Sequence, residues 1–327
     1  MGYLAVEEAV AALSSGSALL VELPDRGVLV AAVGSPGARL VELHATAVGT
    51  VPWQATTDPA GVLAGPTPAA VAVDLLRLAR AGGGAPTAVR FGDLAGVPRR
   101  APLPAVLARF AADHDLPLVS LDDLAHHRRR FDHLVDEVAV ASLPLPSGTF
   151  RTHAYRSLVN GAEHLALVLG DIDGADDVLC RVHSECLTGD VFASRRCDCG
   201  EQLEAAFAAI AAEGRGVIVY LRGHEGRGIG LAEKLRAYAL QEQGLDTVDA
   251  NVALGHPADG RDFADAAQIL GLLGPASVRL LTNNPAKIAR LEALGVAVTG
   301  RLPVEIAPNP HNADYLDTKR RRFGHLL

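Results

Sequence analysis

Apolar side chains at 70–80 (Val71, Val73, Leu75, Leu78, Ala79) and again at 103–114 recur every three to four positions, the spacing of helices with one face sunk in a core. Residues 18–23, 28–33 and 116–119 are short apolar runs that read as strands. The alternation sharpens further along. Strand-like runs at 165–169 and 178–182 precede an amphipathic helix over 201–213, with Leu203, Phe207 and Ile210 on one stripe. An apolar run at 216–221 then leads into the glycine-rich stretch 223–230, and a helix over 231–243 ends before Gly244, a residue suited to a left-handed helix stop. On that helix Leu231, Leu235 and Tyr238 share a stripe, which predicts a core tyrosine. A strand at 277–281, a turn at Thr282-Asn283-Asn284 and Pro285 in the first turn of a following helix complete the pattern. The fold class expected is mixed α/β throughout.

Between these halves, 135–148 carries Pro144, Pro146 and Gly148 and reads as a connector. The expected domains are therefore 1–131 and 132–327, the first a truncated α/β domain. The basic run His126-His127-Arg128-Arg129-Arg130 reads as a solvated helix end. No internal repeat or low-complexity tract is present.

With 327 residues, 49% of them hydrophobic, the chain can bury real cores. Four cysteines are too few for a disulfide scaffold, and 1–20 lacks the charged start and continuous apolar stretch of a secretory signal. These features predict a cytoplasmic protein with reduced thiols, and no apolar run approaches membrane-spanning length. The net charge of −8 argues against a nucleic-acid footprint, so a polyanionic small substrate would need its own basic pocket.

Chemistry concentrates after residue 180. Cys186, Cys197 and Cys199 form a set of soft ligands that can hold one zinc ion and leave its fourth position for water. Cys180, inside a strand-like run, reads mainly as a buried small hydrophobe, although it and His183 are further conceivable ligands. Arg222-Gly-His-Glu225-Gly226-Arg227-Gly-Ile-Gly lies between a strand and a helix, where free backbone amides and an arginine favour an anion. Lys287 stands at a strand end, where it reaches a phosphate or else is a surface lysine. On spacing alone, Asp259 and Arg261 read as solvated loop charges.

Six blocks together resemble GTP cyclohydrolase II: Arg181-Val-His-Ser-Glu-Cys-Leu-Thr-Gly-Asp190, Arg196-Cys-Asp-Cys-Gly200, Gly223 to Leu231, Lys234 to Gln241, Leu280 to Pro285 and Tyr315-Leu-Asp-Thr-Lys319. They occur in the family's order over roughly 150–327. The resemblance implies hydrolysis of GTP to formate, pyrophosphate and 2,5-diamino-6-ribosylamino-4(3H)-pyrimidinone 5′-phosphate, at the head of riboflavin biosynthesis. It implies one zinc per subunit on Cys186, Cys197 and Cys199, and a GTP site of Arg181, Val182, His183, Ser184, Glu185, Gln202, Glu225, Gly226, Arg227, Thr247, Thr282 and Lys287. It assigns Asp259 as proton acceptor, Arg261 to the leaving pyrophosphate or to charge stabilisation, and Tyr238 to the neighbourhood of the metal-bound water, which overrides the core expectation. Magnesium on the triphosphate and a homodimer are implied as well.

Residues 1 to about 130 resemble a shortened 3,4-dihydroxy-2-butanone 4-phosphate synthase domain through 70–79 and 103–130. Where that family carries an acidic loop, this chain has Pro24-Asp-Arg-Gly-Val-Leu-Val, and where it carries His-Thr-Glu, this chain has Pro66-Thr-Pro. Without those carboxylates the expectation is a domain lacking synthase activity. Alternatives within the resemblance are an enzyme that stops at the formamidopyrimidine, one that keeps both activities, or a silent nucleotide-binding regulator.

Overall fold

The computed structural model describes residues 2–52, 60–63, 65, 67–81, 86–97 and 102–326. Pro66 of the Pro66-Thr-Pro segment lies outside them. The chain divides into two compact units: one runs to Asp132 and takes in Leu158–Asn160, and the other comprises His133–Ser157 and Gly161 onward.

The first unit contains α1 (Gly2–Ser15), β1 (Ala18–Glu22), β2 (Gly27–Ala32), α2 (Pro36–His44), β3 (Ala45–Pro52), α3 (Pro68–Ala81), β4 (Ala88–Leu94), α4 (Leu103–Asp113), β5 (Leu118–Ser120) and α5 (Leu121–Phe131). Its sheet runs β3-β4-β2-β1-β5, parallel only between β1 and β5. Successive residues of a strand face opposite sides, so Leu19 and Val21 join the core under α1, α3 and α5, while Leu20 and Leu29 join one under α2 and α4. Helices on both faces explain why these strands are continuously apolar.

The run at 126–130 differs from expectation. It does end a helix, but Arg128 is fully buried. Its guanidinium donates to Asp74 at 3.0 Å, Asp132 at 2.8 Å and the Ala60 carbonyl at 2.6 Å, and Arg77 bridges the same two carboxylates. Burial pushes the Asp74 carboxyl up to about 6 despite Arg128. Gly61, at φ +46, is needed here because a Cβ would strike Asp74 and Arg128.

The second unit begins with β6 (Val135–Leu145), β7 (Gly148–Ser157), β8 (Glu163–Leu169) and β9 (Val178–Ser184). There follow α6 (Leu187–Asp190), α7 (Cys199–Glu213), β10 (Gly216–Leu221), α8 (Glu225–Gly228), α9 (Leu231–Gln241) and α10 (Thr247–Ala253). It closes with α11 (Ala264–Leu273), β11 (Val278–Leu281), α12 (Pro285–Ala293), β12 (Val298–Leu302) and α13 (Ala313–Phe323). The expected connector at 135–148 is thus mostly a strand. β6 pairs only with β7, at the sheet edge, and all but its two end residues are exposed. An edge strand tolerates Pro144, and the apolar residues of this one, Val138, Val140 and Leu143, are exposed.

This sheet runs β12-β11-β9-β10-β8-β7-β6, with β12, β11, β9 and β10 parallel and the rest antiparallel. One face packs Val182, Val219 and Leu280 against α11 and α12, and the other packs Leu179, Ile218 and Leu281 against α7. Because β11, β9 and β10 are adjacent and parallel, Thr282, Glu185 and Arg222 leave their strands at one edge of the sheet. Ligands of α/β sheets gather at such an edge. No helix among the described residues is long and apolar enough to cross a membrane.

Candidate active site

β9 carries the first site residues out to the sheet edge. Arg181, almost fully buried, donates to the Leu281 carbonyl at 2.8 Å and to Gln202 at 2.6 Å, while burial lowers its pKa. His183, also buried, donates from Nε2 to Asp190 at 3.1 Å and stacks on Tyr220, and burial keeps it neutral below its ordinary range. Val182 between them points into the core, so only its backbone serves the site: its carbonyl accepts from Lys287 Nζ at 2.6 Å. Ser184 Oγ lies 3.0 Å from His224 Nδ1, and Glu185 accepts from the Gly223 amide.

The next residue is Cys186. It meets Cys197 and Cys199 so that all three sulfurs lie within 4.8 Å of one another, with Cys186 and Cys197 3.6 Å apart. This set could hold a metal ion. Cys199 opens α7, where the helix N-terminus favours a thiolate, two residues earlier than the sequence pattern starts the helix. α6 supplies the floor: a Cβ on Gly189 would stand 2.9 Å from the Cys197 sulfur and 3.1 Å from the Cys186 sulfur. Asp190 fixes the loop by accepting from the Cys186 amide at 3.0 Å, from Tyr220 at 2.7 Å and from His183. Hydrogen bonding from Cys197 and Cys199, with the Lys234 ammonium, pulls the Cys186 thiol down, and bonding to Cys186 pushes the other two up. Neither Cys180 nor His183 belongs to the set, and burial pushes the Cys180 thiol up to about 12.

α8 is a tight turn in which Gly226 and Arg227 have φ of 61° and 69°. A non-glycine residue held there carries backbone strain, and such strain gathers at functional sites. The Arg227 guanidinium lies 3.7 Å from the Phe323 ring, and one of its buried nitrogens has no protein partner among the described residues. Arg181 Nε, His183 Nδ1 and Asn251 Nδ2 are in the same condition. A pocket wall with several unsatisfied polar nitrogens is built for a ligand rich in oxygen or nitrogen acceptors.

Glu225 accepts from the Leu187 amide at 2.7 Å and from Lys234 Nζ at 2.5 Å. Thr247, Thr282, Tyr238, Gln202 and Arg261 line the same pocket. Tyr238 departs from the core reading: α9 buries Lys234 and Ala237 instead, leaving Leu235 53% exposed. Lys287 is no surface lysine. It is 6% exposed, and burial together with Arg181 and Arg261 holds its pKa well down.

Asp259 and Arg261 are not solvated. They form a bidentate pair at 2.9 and 2.6 Å with side chains 16% and 14% exposed. Burial raises the Asp259 carboxyl, but Arg261 outweighs it and the pKa falls to about 2. Arg261 lines the pocket, and Asp259, which is not part of the lining, grips its guanidinium. His224, buried beside Arg261 and Lys287, is held down at about 3.

A family model for GTP cyclohydrolase II matches residues 136–303. The chain belongs to that family. It is 54% identical over 269 residues to the riboflavin biosynthesis protein RibBA of Salinispora arenicola, covering 82% of this chain and 63% of the relative. It is 52% identical over 220 residues to the monofunctional riboflavin biosynthesis protein RIBA 3, chloroplastic, of Arabidopsis thaliana, covering 67% of this chain and 43% of that one. The chain thus spans less than two thirds of either relative's length. Its fold is similar to a two-domain 3,4-dihydroxy-2-butanone 4-phosphate synthase from A. baumannii, with a TM-score of 0.58 and 20% identity over 92% of this chain and 99% of that one.

Sequence reasoning missed part of the pocket. Lys234 sits on a helix face where an apolar pattern cannot reveal it; it opens the block Lys234 to Gln241 and stands four residues from Tyr238, but the resemblance gives it no role. Asp198, between two of the cysteines, accepts from Lys319 of α13 at 2.6 Å. Tyr315, Lys319 and His325 line the pocket although the family match ends at 303.

Proposed function

We propose that this chain hydrolyses GTP to formate, pyrophosphate and 2,5-diamino-6-ribosylamino-4(3H)-pyrimidinone 5′-phosphate, using one zinc ion held by Cys186, Cys197 and Cys199. One observation carries the reading: three convergent sulfurs share a pocket with Arg181, Arg227, Arg261 and Lys287. A tetrahedral zinc with Zn–S bonds of about 2.3 Å needs sulfurs roughly 3.8 Å apart. The Cys186–Cys197 separation of 3.6 Å fits. When bound, zinc supplies Lewis acidity and an open position for water, the chemistry required to open an electron-poor imidazole ring.

The protein's own groups do the rest. Arg227, with its unsatisfied nitrogen, and Lys287 hold the triphosphate, which carries magnesium. Arg261 is kept protonated, since its pairing with Asp259 outweighs burial; a charged guanidinium stabilises the departing pyrophosphate rather than attacking it. Asp259 accepts a proton near neutral pH only when that pair opens. Tyr238, bonded to Thr188 near the sulfurs, orients the reacting end of the base. The pathway named by the relatives, riboflavin biosynthesis, is the one this product enters. The working unit of this reading is a homodimer in the cytoplasm, checked by sedimentation.

The first unit keeps the synthase-like architecture without its chemistry. At the β1–β2 turn, Asp25 is tied to Arg26, and Arg26 also pairs with Asp93. Incubation with ribulose 5-phosphate and magnesium should yield no formate. The main test is a turnover assay on GTP with the zinc-loaded protein: formate and pyrophosphate should appear in equal amounts. Pyrophosphate without formate means the reaction stops at the formamidopyrimidine, and an inert loaded protein means a regulator.

A further inference from the structure

We propose that Lys234 is a positioning residue: it clamps Cys186 as a metal ligand and offsets the negative charge on that sulfur. The inference rests on the metal reading above. Lys234 is 7% exposed, and its Nζ lies 3.1 Å from Cys186 Sγ, 2.9 Å from Thr188 Oγ1 and 2.5 Å from Glu225 Oε1. An ammonium has three N–H donors and no acceptor, so this geometry uses all of them. The other oxygen of Glu225 accepts from the amide of Leu187, next to Cys186 in the chain. Lys234, Glu225 and Leu187 therefore close a ring around the first cysteine, joining α9 and α8 to the start of α6.

Charge gives this ring a second purpose. Three thiolates around a divalent cation leave one net negative charge, in a pocket that must also accept a polyanion. The Lys234 ammonium, although shared with Glu225, lies directly against the sulfur and offsets part of that charge there, and its N–H bond withdraws electron density from the sulfur. A compact ammonium suits the task better than a planar guanidinium, whose donors fan out in one plane. Partners that hold a metal's ligands typically affect affinity about ten- to hundredfold.

The test uses cobalt(II) in place of zinc, because sulfur-to-cobalt charge-transfer absorption reports on each bound thiolate. Wild type, Lys234→Met, Lys234→Gln and Lys234→Arg are loaded and then titrated with a chelator, with folding checked by circular dichroism. The methionine and glutamine variants should keep the charge-transfer band, shift it to lower energy as the sulfur becomes more electron-rich, and lose cobalt about ten- to hundredfold more readily. The arginine variant should recover part of both. Variants that match wild type in band position and retention overturn the role of Lys234 alone. A wild-type protein without any sulfur-to-cobalt band overturns the metal reading, and this inference with it.

Discussion

Gly189→Ala isolates the geometry of the cysteine set. The added Cβ would lie 2.9 Å from Cys197 Sγ, 3.1 Å from Cys186 Sγ and 3.1 Å from Cys199 Cβ. Non-bonded atoms of this size settle at about 3.5–4.0 Å, so the sulfurs must give way by roughly 0.5 Å or more. Metal–ligand distances tolerate only about 0.2 Å. Retention should therefore fall by about ten- to hundredfold, or roughly 1.4–2.8 kcal/mol. Backbone strain does not compete, because Gly189 has no positive φ. In the helix itself alanine is better than glycine by about 0.5–1 kcal/mol, and thiols free of metal can turn away from the new methyl, so the metal-free variant should lose less stability than the loaded one. Chelator competition on the loaded protein and thermal melts of both forms separate the two effects. A folded Gly189→Ala protein that holds zinc as tightly as wild type would refute the argument.

Arg128→Ala should destabilise the chain by about 3–5 kcal/mol in urea titration, because it leaves the buried Asp74 with only the half-buried Arg77 for a cation. His224 stays neutral in the fold while the unfolded chain takes up a proton near pH 6.5, so stability should fall as pH drops from 6.5 toward 3; His224→Asn should flatten that slope in melting curves. Asp259 has the usual carboxylate sign: its contribution of about 2 kcal/mol is complete above pH 3.8 and disappears toward pH 2, so Asp259→Asn should cost stability at pH 7 and little at pH 2. Arg227→Ala should lower kcat/KM for GTP by about ten- to hundredfold, the worth of a lost hydrogen bond to a charged group.

Much of the architecture could be read from composition because β1, β2, β9 and β10 have both faces covered and are mostly apolar, with Arg181, His183 and Ser184 the exceptions in β9. The method failed where burial does not follow hydrophobicity. β6 has an exposed edge and little buried surface, so Pro144, with Pro146 just beyond the strand, dominated the reading. Arg128 and Lys234 are buried because carboxylates on other elements satisfy their charges, and Lys287 is buried against the Val182 carbonyl of β9. The cysteines were legible because three soft ligands at short spacing admit few other purposes. The pairing of Lys319, the end of the sixth block, was not: its partner Asp198 is 121 residues away.

That separation also has a consequence in time. At synthesis rates of about 5–20 residues per second, roughly 6–24 s pass between Asp198 and Lys319 leaving the ribosome. Throughout that interval the nascent cysteines stand without the helix that anchors their loop. A metal captured then would be held by an unfinished cradle, open to exchange and to oxidants. Faithful loading belongs after translation, once α13 has docked.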